Sequence, residues 1–310
     1  FVCLLSQYES GLSLLLNDLG IRNLQVKAPP MEFVFELLGI SGLMLLWGGL
    51  TAVDLLVKAA AEKRPYEKTQ GDTERVHGMN LMDVEEALEK HTLSEALTRC
   101  VKRLGSIPIS EGRRPLIGIA GDIYTRQNPV ANNHLFRRLE DLGCEVWPAP
   151  FLVDSTDFGL HRSMERKRSQ GKWKETAELR LMNLRKDLES RRIQHKLART
   201  AARLAEPGYR ENLSLSRPYI GESNNDVLLL NIAKIVDFAR RGADGIINAI
   251  SLNCMLGTAS AAIAARMSRD FAGLPITTIA FSGTDSPVED SLLEAFVYQV
   301  RQRAARNPGA

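Results

Sequence analysis

Apolar positions in the first third of the chain recur at the spacing of amphipathic helices. Residues 11–19 and 51–63 each hold such a stretch, and each stretch stops at a glycine or a proline. The apolar stripe of residues 80–104 predicts one continuous helix. We therefore predict that residues 1–112 are the mostly helical part of an N-terminal cluster-binding domain, which would be a second α/β domain.

One apolar run within this part has no charge. Leu37–Val53 is 17 residues long, lies between Glu36 and Asp54 and contains four glycines. A membrane-spanning helix needs about 20 apolar residues. We interpret the run as a buried core segment and expect no membrane contact.

The pattern changes beyond a polar, breaker-rich segment at 110–115. Short apolar runs now alternate with helical stretches, which is typical of βαβ units and an open parallel sheet. Residues 113–310 are therefore predicted to form a C-terminal α/β domain with helices on the faces of its sheet. The predicted strands are 115–120, 145–148, 245–250 and 276–280, and the predicted helices are 132–142, 225–241, 258–271 and 288–305.

Residues 161–217 interrupt this alternation with a strongly basic segment. It holds 16 Lys and Arg against 7 Asp and Glu. It is either a patch for an anionic ligand or acidic partner, or a solvated helical excursion. The second reading is favoured because the charges are interspersed with Glu and Leu at helical spacing.

Composition excludes several classes of protein. The chain has 310 residues, of which 44% are hydrophobic and 25% charged, and its net charge is only +3. These values exclude a disordered tail and give no indication of nucleic-acid binding. Four cysteines without CxxC spacing indicate a reducing, cytoplasmic compartment. The chain begins without Met, so we expect it to be part of a larger protein.

The positions of the cysteines separate them into two groups. Cys254 follows a predicted strand and precedes a predicted helix, where backbone N–H groups favour a thiolate. Cys3 lies ahead of the first helix and could occupy a similar turn. Cys144 precedes its strand and Cys100 lies in a helical stripe, so both are predicted to be buried, unreactive thiols.

A second candidate site follows the first strand of the α/β part, at residues 121–133 (GDIYTRQNPVANN). Gly121 allows a tight turn, Asp122 and Arg126 supply opposite charges, and Asn132 or Asn133 could cap the next helix. A capped turn with a surface ion pair explains the segment equally well. The glycine spacing is not that of the dinucleotide fingerprint.

Several segments together resemble a known family. They are VCLLSQY, RPYEKTQG at 64–71, PLIGIAGDIYTRQNPVANNHLFRRLEDLGCEVWPAP at 115–150, GADGIINAISLNCMLGT at 242–258 and LLEAFVYQ at 292–299. In this order they are similar to the acyl-CoA dehydratase activase-related proteins. These are relatives of the 2-hydroxyglutaryl-CoA dehydratase D component and of the double-cubane cluster proteins.

The resemblance implies flavodoxin-like domains that hold an oxygen-sensitive [4Fe–4S] cluster at their interface. It implies that Cys3 and Cys254 are metal ligands, with further ligands in an N-terminal part that this chain lacks. An ATP-hydrolysing activase domain or subunit would be the partner, and ATP would act only through it. An electron at low potential would then pass to a 2-hydroxyacyl-CoA thioester in a homo- or heterodimer.

Further residues in the matching motifs are predicted to surround the metal or the substrate. Two positions depart from the family, because Ser282 stands in place of an acid and Leu292 in place of an arginine. Substrate and activity are therefore left open. The predicted surrounding residues are Gln7, Gly121, Asp122, Tyr124, Arg126, Asn128, Asn253, Gly257 and Thr258.

Two alternatives to an iron–sulfur component stay open at this point. The chain could be a non-catalytic α/β module that docks on an ATPase activase domain. It could also be a cluster-free domain that binds CoA or a nucleotide, with the Gly121 loop against a phosphate.

Overall fold

The computed structural model describes residues 8–26, 31–151, 153–222, 225–282 and 287–306. The chain divides into two compact units, Phe1–Leu45 and Leu46–Ala310. The predicted domain boundary near residue 112 lies inside the second unit, and the division of the chain into domains there stays a prediction.

The described elements are eleven α-helices, one 3₁₀ turn and four strands. The helices are α1 Tyr8–Asp18, α2 Met31–Lys63, α3 Asp72–Lys90, α4 Leu93–Gly105, α5 Leu135–Asp141, α6 Val153–Ser169, α7 Trp173–Leu197, α8 Tyr209–Ser216, α9 Asp226–Arg240, α10 Met255–Asp270 and α11 Pro287–Arg306. The 3₁₀ turn is Arg64–Tyr66, and the strands are β1 Leu116–Gly121, β2 Glu145–Pro148, β3 Gly245–Ser251 and β4 Ile276–Phe281.

The four strands form one parallel sheet in the order β2-β1-β3-β4. The prediction of an α/β fold with an open parallel sheet is confirmed. From β1 the chain adds its next strand, β2, on one side of the sheet, and β3 and β4 are then added on the other side. The strand order therefore reverses between β1 and β3. This is the order of the first four strands in flavodoxin-like folds.

Both faces of the sheet are covered, which explains why its strands read as continuous apolar runs. Helices α9 and α10 pack on one face, with Ile232, Phe238 and Met267 in the core. Helices α5 and α11 cover the other face, where Leu139 and Phe296 are buried.

The uncharged run Leu37–Val53 lies in α2, and only its second part is buried. The buried stretch begins at Trp47, and Ala52, Leu55 and Leu56 then pack against α3, α4 and α7. Earlier in the run, large apolar side chains such as Leu37 are exposed, so the prediction of a buried core segment is wrong for that part. Among the described residues, Leu37–Tyr66 is the one helix long and apolar enough to cross a membrane, and 44% of its apolar window is buried.

The single helix predicted over 80–104 is wrong, because the structure has two helices that pack against each other. His91 ends α3 in the left-handed conformation, with φ 55°, and α4 starts after Thr92. The apolar stripe continues through the turn, since Leu88 and Leu93 both pack on the same core. No glycine or proline marks the break, so the periodicity could not reveal it.

Buried charges connect α2 with α9. Lys58 and Lys234 are almost fully buried, and both ammonium groups contact the carboxylate of Glu206. Asp54, one turn before Lys58, accepts a 2.8 Å hydrogen bond from the Phe151 N–H through Oδ1. Its Oδ2 is buried and has no hydrogen-bond partner among the described residues.

The Asp54 carboxyl makes stability depend on pH. Burial raises its pKa from 3.8 to about 6, although the bond from Phe151 and the charge of Lys58 act in the opposite direction. The native state therefore binds the proton more tightly than the unfolded state, and this contribution to stability is lost as pH rises through 6. Relative to Asp54→Asn, the wild-type protein should gain up to about 3 kcal/mol of unfolding free energy as pH falls from 7 to 4. Urea denaturation at several pH values measures this difference, and a difference that does not vary with pH would contradict the assignment.

Candidate functional site

The predicted site residues that the structure describes lie at or just beyond the carboxyl ends of β1 and β3. These neighbouring strands lie on either side of the point where the strand order reverses, and open α/β sheets bind ligands in the crevice at such a point. The loops that follow them are joined by a 2.7 Å hydrogen bond between the hydroxyls of Thr125 and Ser251. The Asp122 N–H also donates to the Ala249 carbonyl, at 2.8 Å.

Cys254 occupies the N-cap position of α10, three residues beyond the end of β3. Its Sγ accepts a hydrogen bond from the Gly257 N–H at 3.4 Å, and the residue is half-buried. The sequence places Cys254 correctly, although α10 begins at Met255 rather than near residue 258. Its sulfur therefore lies at the N-terminal end of a 16-residue helix, next to a backbone N–H donor.

The other two described cysteines have the opposite character, as predicted. Cys100 lies in α4 and Cys144 lies before β2, at the other end of the sheet, and both are fully buried. Burial raises the pKa of each thiol to about 11. Neither is suited to act as a thiolate at neutral pH.

The β1 loop is built mainly by its own hydrogen bonds. The Asp122 carboxylate accepts from the N–H groups of Tyr124 and Thr125, at 3.1 and 2.8 Å. The side chain of Asn128 accepts from two N–H groups of the following turn, and Asn132 Oδ1 accepts from the Leu135 N–H at the start of α5. Asn132 therefore bonds the first residue of α5, although the N-cap position itself is His134, whose side chain makes no capping hydrogen bond.

The expected surface ion pair between Asp122 and Arg126 is wrong. Arg126 is 3% exposed, and its guanidinium turns inward to Asp154, 3.5 Å away, and to the carbonyls of Gly121 and Pro150. A buried arginine with these partners fixes the loop to α6, and it is not free to bind a substrate.

The remaining predicted residues divide according to the loops that carry them. Tyr124 is exposed on the β1 loop. Asn253 has φ 61° next to Cys254, and Thr258 donates its hydroxyl to the Cys254 carbonyl at 3.0 Å. Gly257 is needed in its place because a Cβ there would lie 2.7 Å from the Ile250 side chain. Cys3 and Gln7 lie outside the described residues.

The sequence did not reveal a buried amide network beneath these loops. Asn248 in β3 is fully buried, and its Oδ1 accepts a 3.0 Å hydrogen bond from the side-chain amide of Asn231. The side-chain amide of Asn248 donates to the hydroxyls of Ser260 and Thr278. The Oδ1 of Asn231 in turn accepts a 2.8 Å hydrogen bond from the Gly121 N–H. The network holds β1, β3, β4, α9 and α10 together below the site. A polar residue in the middle of an apolar strand, as in GIINAIS, was the available signal.

Comparison with known proteins adds no further constraint: no family model, no curated protein and no solved structure matches this chain.

Within the described ranges, no group of three or more His, Cys, Asp or Glu side chains could hold a metal ion. A [4Fe–4S] cluster is normally bound by four thiolates. Cys254 fits as one of them, because the residue is only half-buried and its sulfur accepts a backbone N–H. The described residues do not supply the other three.

Two exposed apolar side chains flank Cys254 along the chain. Leu252 and Met255 are 55% and 67% exposed. Tyr124 and Val130 are exposed on the loop that follows β1. The pair Leu252 and Met255 is a candidate contact surface for another protein.

A cleft at this edge, beside Gly121 and Arg126, has a volume of about 10 Å³, which is room for about one water molecule. A cavity of about 580 Å³ lies between the end of α10 and helix α11. Its lining includes Pro275, just before β4, and Tyr298 on α11. It contains none of the residues predicted for the site.

Proposed function

We propose that this chain is the iron–sulfur component of a 2-hydroxyacyl-CoA dehydratase and activase type of system, with Cys254 as one of the cluster ligands. The observation that supports the proposal is the N-cap position of Cys254 at the point where the strand order reverses. The residue is half-buried there and its sulfur accepts a backbone N–H, whereas Cys100 and Cys144 are buried. The further thiolates would come from Cys3 and from outside this chain.

A [4Fe–4S] cluster supplies one-electron transfer at low potential when it is bound. The chain's own residues would tune this chemistry. The Gly257 N–H stabilises negative charge on the Cys254 sulfur, and hydrogen bonds to cluster sulfurs are one determinant of the potential. Thr258 fixes the same turn through the Cys254 carbonyl. An ATP-hydrolysing activase would deliver the electron, and an acyl-CoA thioester would receive it.

The cluster content of the Cys254→Ser protein tests the proposal. After anaerobic reconstitution together with the part that supplies the further thiolates, we expect the wild-type protein to bind iron and sulfide in equal amounts, and the variant to lose most of both. Cys144→Ser is the matched control, because that thiol is buried at the opposite end of the sheet. Iron and sulfide analysis gives the readout, and equal loading of all three proteins would remove Cys254 as a ligand.

The apolar residues around Cys254 favour a second candidate, a module that docks on an ATPase activase domain without catalysing a reaction itself. Leu252 and Met255 would then contact the partner directly. We expect the metal-free protein to bind a purified activase, and we expect Leu252→Asp together with Met255→Asp to weaken that binding at least tenfold. Binding that requires the loaded cluster would argue for the first candidate.

The geometry gives no support to a cluster-free phosphate site at the Gly121 loop. The N–H groups of Gly121, Asp122, Tyr124 and Thr125 all donate to oxygen atoms of the protein itself. The adjacent cleft is also too small for a phosphate.

A further inference from the structure

A second cleft lies within the basic segment 161–217, and Cys254 is not part of its lining. It is enclosed by α6, α7 and the start of α8 and has a volume of about 230 Å³. Three arginines line it, one from each helix: Arg168, Arg180 and Arg210. A helical excursion thus brings three positive charges around one concave surface.

The three guanidinium groups are available to a ligand. Other basic side chains nearby are paired: Lys167 contacts Glu175, Lys186 is held by Asp157 and Asp187, and Arg162 lies 3.2 Å from Asp226. In the part of the chain that the structure describes, the guanidinium groups of the three cleft arginines have neither an ion pair nor a hydrogen bond, and all three side chains are exposed. What distinguishes them from the other unpaired basic residues of the segment is that they line one cleft.

One carboxylate lines the cleft, and it is already engaged. Glu165 accepts the Tyr209 hydroxyl at 2.6 Å and lies 3.8 Å from Arg162. Arg162 balances its charge, so the three arginines leave the cleft with an excess of positive charge. A cleft lined by one sign of charge favours a ligand of the opposite sign.

The rest of the lining indicates what else the anion should carry. His161 lines the cleft and stacks on Tyr209, with ring centroids 4.8 Å apart and planes 10° apart. The Oδ1 atom of Asn183 is buried and has no donor among the described residues. A buried acceptor of this kind is favourable only when a hydroxyl or N–H group reaches it.

We propose that this cleft binds a phosphorylated ribose through Arg168, Arg180 and Arg210. Guanidinium groups match the geometry of a phosphate oxygen pair, and a ribose hydroxyl would supply the donor that Asn183 lacks. The phosphorylated ribose could belong to a free nucleotide or to coenzyme A. The site does not involve Cys254 and does not depend on the proposed iron–sulfur function.

Calorimetry on the full chain tests the site with ribose 5-phosphate, AMP and adenosine 3′,5′-diphosphate, the phosphorylated end of coenzyme A. We expect saturable binding by the wild-type protein and by Cys254→Ser. Arg180→Ala and Arg168→Ala should each weaken binding about tenfold or more, because each removes a charge-assisted hydrogen bond. Arg180→Lys should bind more tightly than Arg180→Ala but less tightly than the wild-type protein, since lysine keeps the positive charge but lacks the paired N–H donors of a guanidinium group.

Arg185→Ala is the matched control. Arg185 is exposed on the same helix, is absent from the cleft lining and likewise has no ion-pair partner among the described residues. Its loss should leave binding unchanged. Tighter binding of adenosine 3′,5′-diphosphate than of AMP would assign coenzyme A as the source, and the reverse would assign a free nucleotide. Failure of the wild-type protein to bind at millimolar concentration, or equal weakening by Arg185→Ala and Arg180→Ala, would overturn the proposal.

Discussion

Glu206→Gln is expected to lower the free energy of unfolding by about 3–5 kcal/mol. The Glu206 carboxylate contacts the ammonium groups of both Lys58 and Lys234, whose side chains are only 4% and 2% exposed. A neutral amide would leave Lys58 without a carboxylate in contact and Lys234 with Asp237 alone, 3.3 Å away. Burial already lowers the pKa of both lysines, so part of the cost is relieved at higher pH, where they lose their protons more easily.

Urea denaturation at pH 7 measures this effect. Glu211→Gln is the control, because Glu211 is exposed on α8 and has no ion-pair partner among the described residues, and its loss should change stability by less than about 0.5 kcal/mol. Adding Lys58→Met to Glu206→Gln should restore part of the stability. A loss of less than about 1 kcal/mol from Glu206→Gln alone would show that the carboxylate does not hold the two lysines.

Gly121→Ala should be at least as damaging, with a loss of about 3 kcal/mol or more, or a failure to fold. Gly121 has φ 115°, a conformation that other residues rarely adopt, and a Cβ there would lie 1.9 Å from the Ala249 carbonyl oxygen. Backbone strain and overpacking each cost about 1–3 kcal/mol. The change would push β1 away from β3 below the Cys254 loop.

Gly78→Ala provides the comparison for this variant. Gly78 is exposed in α3 without a positive φ, and a Cβ there has no heavy atom within 4 Å. Alanine should therefore stabilise the helix by about 0.5–1 kcal/mol. Thermal unfolding of the two variants should shift in opposite directions, and similar shifts would contradict the close approach of β1 and β3 at Gly121.

The sheet could be predicted from the sequence because its strands are buried on both faces. Each then reads as an apolar run of four to seven residues with a helix between it and the next, and the structure places all four within one residue of the prediction. The position of Cys254 follows from the same rule, since a residue just after a parallel strand lies at the ligand-binding edge.

The features that escaped prediction depend on contacts between distant residues. Nothing near Arg126 indicates that its partner is Asp154 rather than Asp122, and nothing near Lys58 indicates Glu206. The three arginines of the second cleft lie on three separate helices, so a charge count finds the segment but not the site. His91 ends a helix in a conformation that the sequence gives no reason to expect there.

The decisive measurement is anomalous diffraction at the iron edge, from anaerobically prepared crystals of this chain together with the part that supplies the further thiolates. We expect an iron peak within bonding distance of the Cys254 Sγ, beyond the carboxyl ends of β1 and β3. An iron-free Cys254, or iron bound only at another place in the molecule, would contradict it.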